Sequence, residues 1–161
     1  MIRPALSSDL PQLLEILNAA ILNSTALYEY ETWSLEKMSV WYESRISEGF
    51  PVIVFDEDNK AAGYATFGSF RKRVAYRFTV EHSLYVHEKY RAQGMGKELL
   101  TELISLAISH GARSMIGVVD ATNRRSIEFH KEHGFLEAGL LKEAGHKFGL
   151  WLDVVLLQRM L

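Results

Sequence analysis
Arg91-Ala92-Gln93-Gly94-Met95-Gly96-Lys97 sits between an apolar run, Ser83 to Val86, and a helix-forming one, Glu98 to Ser109. A strand that breaks at a Gly-x-Gly turn and opens a helix leaves several backbone N–H groups without acceptors around one small volume. The helix dipole adds partial positive charge there, and Arg91 and Lys97 add full charges. Such a place binds phosphates. A plain strand-to-helix turn uses the same glycines, so the spacing alone leaves both readings standing. The loop departs from the nucleoside-triphosphate pattern, because Arg91 replaces its first glycine and Glu98 its magnesium-binding hydroxyl. It departs from the dinucleotide fingerprint as well, since the third glycine position is Leu99.

Glu81 is the sharpest single residue. A carboxylate inside a β-rich run is unusual, because strands disfavour Glu and burial of its charge is costly. It occupies an exposed alternate position, or it makes a salt bridge to Arg77, or it is a general base whose pKa burial lifts toward neutrality. His130 reads as a packed or surface histidine, or as a proton-transfer group. Asn123 and Ser126 fall where a strand turns into a helix; capping explains them, and the same groups reach a ligand lying between two such turns. Arg71, Lys72, Arg73 and Arg77, with Tyr76 among them, form a basic cluster suited to a solvated loop or to an anionic substrate. His130-x-x-His133 lacks the His-Glu-x-x-His pattern of a zinc helix, so no metal is expected.

The elements that must position these groups follow from periodicity. Ile2 to Ala5 reads as a short strand, then Ser7-Ser8-Asp9 as caps for a helix carrying Leu10, Leu13, Leu14, Leu17 and Ile21 at helical spacing. Asn23 to Thr32 is neither helix nor strand. Ser34 and Glu36 open a second helix that runs to about Ile46 and ends at Gly49-Phe50-Pro51. Val52 to Phe55 and Ala61 to Phe67 form a hairpin around Asp56-Glu57-Asp58-Asn59. From Phe78 to Val86 the chain alternates, with Val80, His82, Leu84 and Val86 on one face and Glu81, Ser83 and Tyr85 on the other. After the glycine loop comes a helix with Leu99, Leu100, Leu103, Leu106 and Ala107 on one side, ended by Gly111. Ser114 to Val119, Leu136 to Leu141 and Trp151 to Leu157 read as strands, and Arg124 to His133 as a helix stopped by Gly134. Strands followed by strand–helix–strand–helix–strand describe a mixed α/β sheet.

At 161 residues, 48% hydrophobic and 24% charged, the chain reads as one globular domain, 1–161. A net charge of −2 without a basic tract argues against a nucleic-acid partner. With no cysteine, disulfides, thiol catalysis and thiolate metal sites drop out together. No signal-peptide core and no membrane-length apolar run is present, so the expected setting is cytoplasmic, away from membranes.

Arg91-x-x-Gly94-x-Gly96 resembles the acetyl-CoA pyrophosphate loop of the GNAT superfamily of N-acetyltransferases. Three further stretches, Ala75 to Val86, His130 to Phe135 and Gly145 to Val154, are similar to the phosphinothricin and methionine-sulfoximine N-acetyltransferases within it. The resemblance spans essentially the whole chain. It implies a mixed central sheet with helices on both faces, splayed where the strand before the glycine loop parts from the next strand. It implies acetyl-CoA as co-substrate, with Leu84, Tyr85, Val86, Arg91, Gln93, Gly94, Met95, Gly96, Lys97, Asn123 and Ser126 as its binding residues. Glu81 matches the branch's base and His130 its proposed catalytic partner; many other superfamily members carry Tyr at the latter position as general acid. Arg73, Tyr76, Arg77 and, more loosely, Tyr28 match substrate contacts. The family's members are commonly homodimers with the substrate pocket near the subunit interface.

The reading that follows is acetyl-CoA-dependent N-acetylation of a small amino-acid-like amine of the phosphinothricin, methionine sulfoximine or methionine sulfone type. Two rivals stand beside it: acetylation of a protein N-terminus or lysine, and a non-catalytic acyl-CoA-binding sensor.

Overall fold
The computed structural model describes residues 1–161. One seven-stranded sheet organises the molecule, in the order β1-β2-β3-β4-β5-β7-β6. Its strands are β1 (Ile2–Pro4), β2 (Val52–Glu57), β3 (Lys60–Ser69), β4 (Thr79–Val86), β5 (Ser114–Asp120), β6 (Leu136–Lys147) and β7 (Leu150–Met160). Four helices cover it: α1 (Leu10–Asn23), α2 (Leu35–Ser47), α3 (Met95–Ser109) and α4 (Arg124–Glu132).

The apolar spacing decides which helix covers which face. Leu10, Leu13, Leu17 and Ile21 of α1, with Met38 of α2, pack on Val52, Val54 and Tyr64. On the opposite face Leu99, Leu100, Leu103 and Ala107 of α3 meet Ile53, Phe55, Ala65, Phe67 and Val80, and Ile127 of α4 joins Phe135 and Leu157 there. Each of the three fully buried α3 leucines contributes about 1.5–3 kcal/mol by leaving water. Helices therefore lie on both faces, and the alternation along β4 sorts its side chains as expected, Val80 and His82 inward under α3.

Two local expectations change. Ser7-Ser8-Asp9 form a 3-10 turn, and Asp9 makes no side-chain cap for α1. Its carboxylate instead accepts the Leu6 N–H at 2.7 Å and the Arg3 guanidinium at 2.7 and 2.9 Å, and Arg3 also reaches Asp56. A buried charge finds its partner in the fold rather than along the chain. The last two strands also run longer than their alternation indicates, to Lys147 and Met160, and join through Phe148-Gly149 in left-handed backbone. The register slips between Leu141 and Gly145, where Glu143 has φ 48°, and this irregularity hides the continuation of β6 from the sequence pattern.

All neighbouring pairs are antiparallel except β4 with β5. That parallel pair holds for three positions only, Thr79 with Ser114, Val80 with Met115 and Glu81 with Ile116. Beyond them β4 stays with β3 as far as Val86, and β5 stays with β7 as far as Asp120. The sheet forks there.

Candidate active site
The fork opens a cleft of about 320 Å³ between the free parts of β4 and β5. The Thr25–Tyr28 loop, Glu81–Tyr85, Val118–Asp120 and the face of α4 bearing Asn123, Ser126 and His130 wall it. Strand geometry says which backbone groups face the gap. Thr79 O and His87 N both bond toward β3, so residues 79, 81, 83, 85 and 87 spend their groups there. The C=O of His82 and the N–H and C=O of Leu84 and Val86 therefore point into the opening, the His82 N–H being spent on Ile116 in the last parallel pair. Arg91 Nε donates to one of these, Val86 O, at 3.2 Å.

Glu81 is the last residue of β4 paired with β5 and stands half-buried in the cleft wall. Burial pushes its carboxyl above the usual carboxylate range, while the charges of Arg71 and Arg45 pull the other way. It forms no ion pair with Arg77, whose guanidinium lies over Phe78 instead, 4.5 Å from the ring centroid.

One residue further on, two imidazoles fill the vertex of the fork. His82 Nε2 and His130 Nε2 are 3.1 Å apart, and His130 Nδ1 lies 2.6 Å from Ser126 O. A carbonyl only accepts, so His130 carries its proton on Nδ1. Its Nε2 then accepts from the Nε2–H of His82, leaving His82 Nδ1 bare, and that atom is buried without a partner. Burial and the neighbouring ring hold His82 down at about 3, and burial lowers His130 too, so both rings are neutral. Gly117 admits the pair: a Cβ there would lie 3.0 Å from His130 Nε2 and 3.1 Å from His82 Nε2. His130 is thus brought to the cleft as expected, but both of its ring nitrogens are committed.

The glycine loop folds into the N-terminus of α3. Gly94 is the N-cap with φ 87°, a conformation that other residues adopt at a cost, and its carbonyl accepts from Lys97 and Glu98. The N–H groups of Gln93, Gly94, Met95 and Gly96 find no acceptor in the chain. Gln93 braces the loop by donating to Lys89 O at 2.9 Å. These unspent donors at a helix start suit the pyrophosphate of a coenzyme A, and the free edge of β4 suits its amide-bearing arm. Asn123 acts as the expected cap, Oδ1 accepting from Ser126 N at 3.1 Å, while both residues also line the cleft.

The opposite wall is held by residues that sequence reasoning missed. Lys147 is buried at the end of β6 and donates to Ser24 O at 2.8 Å and Leu27 O at 2.6 Å. Tyr30 Oη donates to His146 O, and the Tyr28 ring lies on Gly145, where any Cβ would collide with it. Loop Ser24–Tyr30 is thereby tied to the far edge of the sheet, and Tyr28 reaches the cleft as expected. Asp120 also lines it; Oδ1 is taken by Thr122, and Oδ2 is buried and unpartnered. A buried Lys147 and an Asp120 at a strand end were visible signals, but only as isolated charges.

Arg73, Tyr76 and Arg77 belong to the β3–β4 connection, around the short turn Val74–Tyr76, exposed and outside the wall of this cleft in the single chain. Local stacking of Tyr76 on Phe70 and of Arg77 on Phe78 holds them there. No cluster of three or more His, Asp or Glu side chains forms, and His130 and His133 spend Nδ1 on the carbonyls of Ser126 and Phe129. No helix is long and apolar enough to cross a membrane.

Comparison with known proteins bears on this geometry. Residues 18–135 match the model of the acetyltransferase (GNAT) family. An L-methionine sulfoximine/L-methionine sulfone acetyltransferase of Salmonella typhimurium is 37% identical over 98% of this chain and 92% of its own. A phosphinothricin acetyltransferase from Sinorhizobium meliloti, solved in complex with acetyl-CoA, superposes with a TM-score of 0.96 at 38% identity, over 100% of this chain and 88% of that one. A ribosomal-protein-alanine N-acetyltransferase from Brucella melitensis reaches 0.99 at 40% identity, over 100% and 99%. A forked sheet beside a phosphate-ready helix start, matched at such identity over nearly the full length, admits one conclusion: the chain belongs to the GNAT family of acetyltransferases.

Proposed function
We propose that this protein transfers the acetyl group of acetyl-CoA to the amino group of a small amino-acid-like substrate of the methionine sulfone, methionine sulfoximine or phosphinothricin type. The observation that carries the reading is the position of Glu81: an unpaired, half-buried carboxylate at the fork, beside the free N–H groups of β4. Acetyl-CoA supplies the thioester carbonyl, whose C–S bond breaks and releases a thiolate as the new C–N bond forms. Glu81 takes the proton from the ammonium group, directly or through water, so that the free amine attacks, and the upward shift that burial gives its carboxyl makes it a stronger proton acceptor. The N–H groups of Leu84 and Val86 face the gap, where they stabilise negative charge growing on the carbonyl oxygen. Coenzyme pyrophosphate rests on the Gln93–Gly96 N–H groups with Arg91 and Lys97 beside it, while Asn123 and Ser126 line the cleft that takes the rest of the coenzyme. His130, locked by Ser126 and His82, acts as a positioning residue for the cleft wall.

The names of the Salmonella and Sinorhizobium relatives support the small substrate; that of the Brucella protein favours a peptide N-terminus instead. A homodimer is part of the same reading, supported by the exposed apolar side chains Leu136, Leu140, Leu141, Phe148 and Trp151 on the β6–β7 edge. Thiol release from acetyl-CoA, screened over these amino acids, methionine and an alanine-terminated peptide, tests the substrate class. Glu81→Gln is expected to lower turnover by about two to four orders of magnitude with acetyl-CoA affinity unchanged. Near-normal turnover of that variant, or a preference for the peptide, would overturn the reading.

A further inference from the structure
The inner end of the cleft has a floor made of two rings. β4 and β5 part after Glu81 and Ile116, and directly beyond that point His82 and His130 close the vertex, Nε2 to Nε2 at 3.1 Å. Both rings are fixed from behind. His130 is bound to Ser126 O and packs edge-to-face on Phe129 and Phe135, with centroids 5.5 and 5.2 Å away, and the His82 ring lies 5.6 Å from Phe135. On the strand side they rest over Gly117, with so little space that one Cβ there would come within 3.0–3.1 Å of both. His82, His130 and Phe135 are all buried, so the pair belongs to the close-packed interior. Two apolar side chains of the same volume would also fill the vertex. The chain from Ser126 O through His130 to His82 adds a fixed orientation of both rings, which a size limit needs.

The direction of the coenzyme decides what meets this floor. With its pyrophosphate at Gly94–Gly96 and its arm along the free edge of β4, the thioester comes last and its acyl group points at the vertex. Leu84 offers the free N–H nearest the rings, two residues from His82, or about 6.6 Å at about 3.3 Å per residue. Contact between carbon atoms takes up about 3.5–4.0 Å of that span. A methyl group fits in what is left, and a longer chain runs into the imidazoles. We propose that the His82–His130 pair sets the acyl length of the donor, admitting acetyl-CoA and rejecting the coenzyme A thioesters of longer straight-chain acids. The assignment rests on the amine-acetylation reading and makes His82 a specificity-determining residue on the donor side of that reaction.

The donors compared are acetyl-CoA and butyryl-CoA, with coenzyme A as the reference that has no acyl group. Calorimetry without an amine reads binding, and thiol release with L-methionine sulfone reads transfer. Wild type is expected to favour acetyl-CoA in both, by about 10- to 200-fold for each methylene that finds no room. His82→Ala should cut that preference about tenfold or more through a gain for butyryl-CoA, while coenzyme A binds both proteins alike. His82→Gln keeps the volume and the donor to His130, and should keep the wild-type ratio. His130→Ala opens the same room from α4 and serves if His82→Ala does not fold. Equal use of the two donors by wild type overturns the assignment. So does a ratio that stays put when either ring is removed, a uniform loss over both donors, or a shift as large in His82→Gln as in His82→Ala. The two assays keep the readings apart. Ring-dependent discrimination in binding, with no thiol released by any amine, would sink acetyl transfer and keep the size limit. Thiol release whose donor ratio ignores the rings would do the reverse.

Discussion

The buried imidazole pair makes stability depend on acidity in a calculable way. His82 is held down from an ordinary 6.5 to about 3, so between those values the unfolded chain binds a proton that the folded chain refuses. Stability therefore rises with pH across that window and is lost on acidification. Between pH 7 and pH 5, proton uptake by the unfolded chain costs about 2 kcal/mol from His82 alone, at 1.36 kcal/mol per pH unit once below its ordinary pKa. His130, also lowered, adds in the same direction. Glu81 opposes both, since a raised carboxyl binds its proton more readily folded than unfolded. His82→Gln isolates the histidine term. Its side-chain N–H can still donate to His130 Nε2, it does not titrate, and Glu81 remains in both proteins. Urea unfolding at pH 5, 6 and 7 should give a stability loss about 2 kcal/mol smaller for the variant, or about 4–8 °C less fall in melting temperature. An overall offset between the two proteins does not matter; the difference in slope does. Parallel pH dependences would refute a neutral, unprotonatable His82 at the fork.

Two other perturbations probe the walls of the cleft. A Cβ at Gly96 would meet Phe129 and Leu84 only at 3.7–3.8 Å, so Gly96→Ala should melt as wild type does. Its methyl group would stand where phosphate oxygens approach, and calorimetry should show acetyl-CoA affinity reduced about tenfold or more; unchanged affinity would remove the pyrophosphate from this turn. Lys147→Met deletes two charge-assisted hydrogen bonds, each worth about 1.5–3 kcal/mol, partly offset by relief of a buried ammonium. Hydrogen exchange at residues 24–28 should accelerate and kcat/KM should fall; unchanged protection would mean that Tyr28 and Tyr30 hold the loop unaided.

Much of this molecule is local information. Leu10, Leu13 and Leu17, and Leu99, Leu100 and Leu103, repeat with the period of a helix, and Val80 and His82 alternate against Glu81 and Ser83 with that of a strand. Each pattern names the buried face of its own element, which is why the two-sided core, the glycine turn at Gly94 and the carboxylate on β4 were legible. The partners were not. His82 lies 48 residues from His130, and Lys147 lies 123 from Ser24, so no periodicity joins them. Arg73 lies close in sequence to the base, yet the fold sets it on the exposed β3–β4 connection rather than in the cleft wall of the single chain. Arg45, an ordinary helical charge in the sequence, is brought against Gly68 and beside Glu81 only when α2 packs over the sheet. Burial of a charge and the vacancy or use of a donor depend on what the rest of the chain places next to it. Those properties, and with them the chemistry of the cleft, came into being only when the sheet closed and forked.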